Sequence, residues 1–233
     1  MGIRRGSIST PIIADGLVFN IDAANRASTI PSTSTTEIFN TINISESGSM
    51  SSTGGYDSST VSPTFDFDSV GGMYLPTDFN LGDKNTTNYW TKRTTVADRY
   101  IMGLGVGSLP YYLNHSNNAY IFFKFNNTDS SVGSFFSNSA TGDALVLSNS
   151  QFVNFTFIRN VDVCDLYVNG IFTEQKTLSS TSGKNSKPLA IGGGNGAGTF
   201  GYNGNIGPVQ FYNRALSANE VLHNYNALKS RFE

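Results

Sequence analysis

The dipeptide Asn169-Gly170 is the feature that most constrains this chain. It stands between two strand-like runs, Val163-Cys-Asp-Leu-Tyr-Val168 and Ile171-Phe-Thr-Glu-Gln-Lys176. A two-residue hairpin turn of type I′ needs positive φ at both central positions, and Asn-Gly tolerates that at low steric cost. With Phe152, Phe155, Phe157 and Ile158 ahead of it, the spacing predicts antiparallel strands across 152–177. The rest of the chain repeats the theme. Thr64-Phe-Asp-Phe-Asp68 alternates apolar and polar, and Gly71-Gly72 turns into Met73-Tyr-Leu75. Asn88 to Val96 and Ala119 to Phe125 are rich in β-branched and aromatic residues. Residues 28–60, dominated by Ser, Thr and Gly, read as a long surface excursion with one edge strand.

One helix is expected, at the end. Ser217 and Glu220 form a Ser-x-x-Glu capping box, and Leu216 is placed to staple onto Val221. Val221, Leu222, Tyr225 and Leu228 then fall on one helical face. The fold expected is all-β: a two-sheet antiparallel β-sandwich with one short C-terminal helix. Residues 1–14 read as an N-terminal arm, and 15–233 as one domain.

Charge narrows the partners. Charged residues make up 14% of the chain and the formal net charge is -2, so no basic face for nucleic acid is expected. The lone cysteine, Cys164, cannot form an intrachain disulfide and reads as a small buried hydrophobe. Met1-Gly-Ile-Arg-Arg-Gly6 has no apolar run behind it, so neither a signal peptide nor a membrane partner is expected.

A set of motifs, in order, resembles laminin-G-like, concanavalin A-like jelly-roll domains. These are Ala14-Asp-Gly-Leu-Val-Phe-Asn-Ile-Asp-Ala-Ala-Asn25, Phe65-Asp-Phe-Asp68 with Met73-Tyr-Leu-Pro76, Leu166-Tyr-Val-Asn-Gly170, Pro188-Leu-Ala-Ile-Gly192, and Gly204-Asn-Ile-Gly207 through to Ser217. The ending, Asn224-Tyr-Asn-Ala-Leu-Lys-Ser-Arg-Phe232, resembles the subgroup found in structural proteins of tailed bacteriophages. The resemblance implies a concanavalin A-like jelly roll and a non-enzymatic virion component. It would decorate or cement the capsid, or form part of a neck or tail fibre. It would meet capsid or tail subunits, act as a homo-oligomer, or bind host-surface glycans as an adsorption module.

Catalytic constellations are missing from the sequence. The Glu-x-Asp-x-x-Glu string of concanavalin-like glucanases is absent, and the alternation of Thr64 to Asp68 turns Asp66 and Asp68 outward. Two histidines and one cysteine, scattered, make no zinc site. No cofactor is expected beyond the calcium that the resemblance allows. Its candidate ligands are Asp22 and Asn25, for which a turn cap is the plainer reading. Sugar rings stack their C–H faces on aromatic platforms, which makes Trp90, Tyr111 and Tyr112 the candidate carbohydrate-binding residues.

Overall fold

The computed structural model describes residues 11–29, 37–50, 55–59, 62–68, 72–79, 81–94, 99–104, 111–115, 121–125, 133–136, 151–177, 187–193 and 201–233. Its strands in the first half are β1 (Leu17–Ile21), β2 (Glu37–Phe39), β3 (Ser47–Met50), β4 (Gly55–Asp57), β5 (Thr64–Asp68), β6 (Met73–Phe79), β7 (Lys84–Arg93) and β8 (Arg99–Leu104). Then follow β9 (Tyr111–His115), β10 (Ile121–Phe125), β11 (Gly133–Phe136), β12 (Val153–Asn160), β13 (Val163–Val168), β14 (Ile171–Thr177), β15 (Lys187–Ile191) and β16 (Asn203–Tyr212). The helix α1 (Ala218–Leu228) and a 3-10 turn (Lys229–Arg231) close the chain.

These strands form two eight-stranded antiparallel sheets. The first runs β14-β13-β12-β7-β16-β5-β4, with β1 also on β16; the second runs β11-β10-β9-β8-β15-β6-β3-β2. The Asn169-Gly170 turn joins β13 to β14 with φ of 50° and 77°, as a type I′ turn requires. Phe19, Phe65, Phe67, Tyr89, Phe155, Phe157 and Phe211 from the first sheet meet Met73, Leu75, Ile101, Leu189 and Ile191 from the second in one core. Asp66 and Asp68 point outward, with Phe65 and Phe67 buried between them.

Residues 28–60 depart from expectation. They hold three short strands, β2 to β4, that extend the edges of both sheets. At three or four residues each, these strands are too short to show a period in sequence, and they are held by backbone pairing to their neighbours.

The helix begins as predicted. Ser217 caps it, and the Ser217–Glu220 box is closed in both directions. Leu216 and Val221 share a second cluster with Ile158, Tyr167 and Tyr212, on the first-sheet face opposite the core. The predicted apolar face is corrected, however: Leu222 is exposed, and the second buried helix residue is Asn224. Its Nδ2 donates to the Tyr212 hydroxyl oxygen (3.0 Å) and its Oδ1 accepts from the Ile13 N–H (2.8 Å). Tyr212 in turn donates to the Ile13 carbonyl (3.0 Å). Residues 11–14 are thereby strapped to α1, and His223 Nε2 donates to the Pro11 carbonyl (2.8 Å). The remainder of the predicted arm lies outside the described residues.

Candidate functional site

Helix α1 and the last residues close over the outer face of the first sheet. Alternation along β7 puts Tyr89 in the core and Asn88, Trp90 and Lys92 on this outer face. Beneath the helix the face is polar. Asn88 Nδ2 donates to Gln210 Oε1 (2.7 Å), and Asn88 Oδ1 accepts from Asn154 Nδ2 (2.9 Å) and Thr156 Oγ1 (2.8 Å). All four side chains are buried.

Where the helix ends, a cavity of about 680 Å3 opens. That lies within the roughly 300–1,000 Å3 typical of small-ligand sites. Trp90 and Lys92 from β7 line it, and Asn205 of β16 pairs with Lys92 in register. Phe152, just before β12, forms one wall with Phe232 of the tail, their rings 4.9 Å apart and tilted by 50°. Tyr225, Asn169, Asp57, Ser59, Gln151 and Glu233 complete the lining. The lining thus combines aromatic rings with carboxylates, amides and an ammonium.

Two glycines allow this close approach. At Gly207 an added Cβ would lie 2.9 Å from the Phe232 ring and 3.0 Å from Trp90 Cβ. At Gly170 it would lie 3.0 Å from Tyr225 Cβ, besides facing a φ of 77° that disfavours other residues.

The charges are ordered. Asp57 accepts from the Ser59 hydroxyl (2.6 Å) and Ser59 N–H (2.7 Å), and its other oxygen accepts from Asn205 Nδ2 (3.2 Å). The Ser59 hydroxyl bond, with the other donors and Lys92, holds the Asp57 carboxyl below its ordinary range against the opposing effect of burial. Burial, then the neighbouring Asp57 and Asp68 charges, pushes Asp66 the other way. Lys92 Nζ sits 5.9 Å from the Phe152 ring centre. Tyr225 donates to Glu233 Oε1 (2.7 Å), and burial, followed by Glu233, pushes its phenol up to about 12.

The candidates named from sequence fall as follows. Trp90 lines the cavity, but it is 1% exposed and stacks on Phe232 (4.6 Å) and Tyr225 (5.5 Å). It is therefore not the open platform expected; the half-buried rings of the lining are Phe152, Tyr225 and Phe232. Tyr111 and Tyr112 lie on β9 of the other sheet, with side chains outside the described residues. Both Asp22 oxygens accept from Arg231 (2.7 and 2.8 Å), and Asp22 Oδ1 also caps Ala24 N–H. Asn25 Oδ1 accepts from Ala27 N–H in the same turn. Among the described residues no group of three or more His, Cys, Asp and Glu is placed to hold a metal ion. Sequence reasoning missed Phe152, Phe232, Asp57, Lys92 and Asn205.

A two-sheet antiparallel sandwich closed by one short C-terminal helix, with a cavity beside that helix lined by aromatic and polar side chains, is a concanavalin A-like jelly roll. The chain belongs to the concanavalin A-like lectin/glucanases superfamily, whose family model matches residues 67–222. No curated protein matches the sequence. Solved structures share the fold at low identity. The binding domain of Paraclostridial Mosquitocidal Protein 1 is 14% identical with a TM-score of 0.65, covering 91% of this chain and 52% of that one. Domain 4 of AbnA, a GH43 extracellular arabinanase from Geobacillus stearothermophilus solved in complex with arabinotriose, is 14% identical with a TM-score of 0.64, covering 90% and 98%. The botulinum neurotoxin serotype D binding domain is 13% identical with a TM-score of 0.65, covering 91% and 51%. The chain spans about half the length of these toxin binding domains.

Proposed function

We propose that this domain is a non-catalytic recognition module that binds glycans in the cavity under its C-terminal latch, as a component of a tailed-phage virion. The observation that carries the reading is that the rings of Phe152 and Phe232 line one cavity together with Asp57, Lys92 and Asn205. A pyranose offers an apolar C–H face for the rings and hydroxyls for carboxylates and amides. Hydrolysis would need a protonated acid beside an ionised partner. Asp57, held below its ordinary range, is unsuited to the acid role. Likeness to toxin binding domains, and to domain 4 of an arabinanase solved with arabinotriose, supports recognition over chemistry. The phage setting rests on the likeness of residues 224–232 to phage structural proteins. Thermal-shift titration with an oligosaccharide panel tests the reading, since a ligand that binds only the native state raises the melting temperature. The expected result is a rise that Phe152→Ala abolishes, with no new reducing ends. Release of reducing ends, or no response to any saccharide, would refute it.

A second reading, docking onto capsid or tail subunits through residues 1–14, is favoured by the strap. Ile13 is fixed to Asn224 and Tyr212, so the arm leaves the domain from a defined point beside α1. Deletion of residues 1–10 with unchanged virion occupancy would count against it.

A further inference from the structure

The charge pattern of the cavity carries a sharper statement about its ligand. Among the described residues that line it, two bear carboxylates, Asp57 and Glu233, and one bears an ammonium, Lys92. The ammonium lies over the Phe152 ring and adds a small attraction to Asp57. No described lining residue is an arginine, the side chain that reads carboxylates in bidentate fashion. Arg231, whose guanidinium lies 5.2 Å from the Phe232 ring centre, is held by both Asp22 oxygens and by Ser62 Oγ. Asp66 and Asp68 add acidity on the same sheet face, beside Asp57. Trp90, also in the lining, is 1% exposed and its Nε1 has no hydrogen-bond partner among the described residues.

We propose that the cavity is a subsite for uncharged saccharides and discriminates against sialylated and uronic acid-bearing ones. This rests on the glycan reading above. Carboxylates accept from vicinal hydroxyls and amides bond them directly, while an acidic sugar would bring a further negative charge to a site whose described lining carries two carboxylates against one ammonium.

The test is a glycan array in which each neutral structure is printed beside its acidic counterpart, followed by isothermal titration of the strongest pair at low and high salt. The expected result is binding to neutral members, with the acidic counterpart at least tenfold weaker in Kd. Salt should narrow that gap by screening the repulsion, leaving the neutral sugar unchanged. Asp57→Asn should narrow it too, with native melting as the control for folding. Equal or tighter binding of acidic members, or a gap unmoved by salt, would overturn the inference and leave glycan recognition standing. No binding to any member would overturn both.

Discussion

Phe232 lies almost flat on Trp90, with ring centroids 4.6 Å and planes 23° apart. The contact joins the last turn of the chain to the centre of the first sheet. It ties the latch and the cavity into one unit, because both rings also line the cavity.

Phe232→Ala therefore removes a wall and a clasp together. Loss of a large, partly buried ring should cost about 2–3 kcal/mol, toward the lower end of large-to-small substitutions. Chemical denaturation measures the loss, and Trp90 emission should shift to the red as its cover is removed.

Gly207→Ala should act on the same contact from below. The new Cβ meets the Phe232 ring at 2.9 Å and Trp90 Cβ at 3.0 Å, so the tail must give way. The expected outcome is a lower melting temperature with the sandwich intact by circular dichroism, and weaker saccharide binding.

Asn224 is a buried polar hub and not a surface residue. Asn224→Leu would fill the space but leave Ile13 N–H unbonded. A loss of about 1–3 kcal/mol is expected from the orphaned donor. Hydrogen exchange at Ile13 should rise from protected to fast.

The helix start carries an acid-sensitive clasp. Arg214 donates to both Glu220 oxygens (3.0 and 2.6 Å), and Ser217 N–H also donates to Glu220. The Arg214 bonds, then the Ser217 N–H, hold the Glu220 carboxyl down at about 2. A lowered folded-state value means that the contribution is full above the ordinary carboxylate pKa, falls as pH drops below it, and is gone below about 2. Glu220→Gln should flatten the stability profile within that acid window, as read by melting from pH 6 down to pH 2.

How much of this was legible beforehand follows from the range of each signal. The Asn169-Gly170 turn and the Ser217–Glu220 box are local rules, complete within a few residues, and they hold. The outward Asp66 and Asp68 follow from period-two alternation. The cavity follows no local rule: Asp57, Trp90, Phe152, Asn205 and Phe232 meet only because β4, β7, β12 and β16 share a sheet that the tail folds over. Asn224 escaped because the buried helix face was read from apolar residues alone, whereas its partners Ile13 and Tyr212 lie 211 and 12 residues away. Trp90 was read as an exposed platform for a sugar. Only the fold shows it roofed by its own chain.

The chain has one tryptophan, so its spectrum holds one indole N–H resonance, and it belongs to a residue that lines the cavity. Following it by two-dimensional NMR while titrating the best neutral oligosaccharide tests the central claim most directly. The account predicts a saturable shift of the Trp90 indole signal, lost in Phe152→Ala, with the saccharide recovered intact. An indole signal that stays fixed while the saccharide binds elsewhere, or a saccharide that returns cleaved, would contradict it.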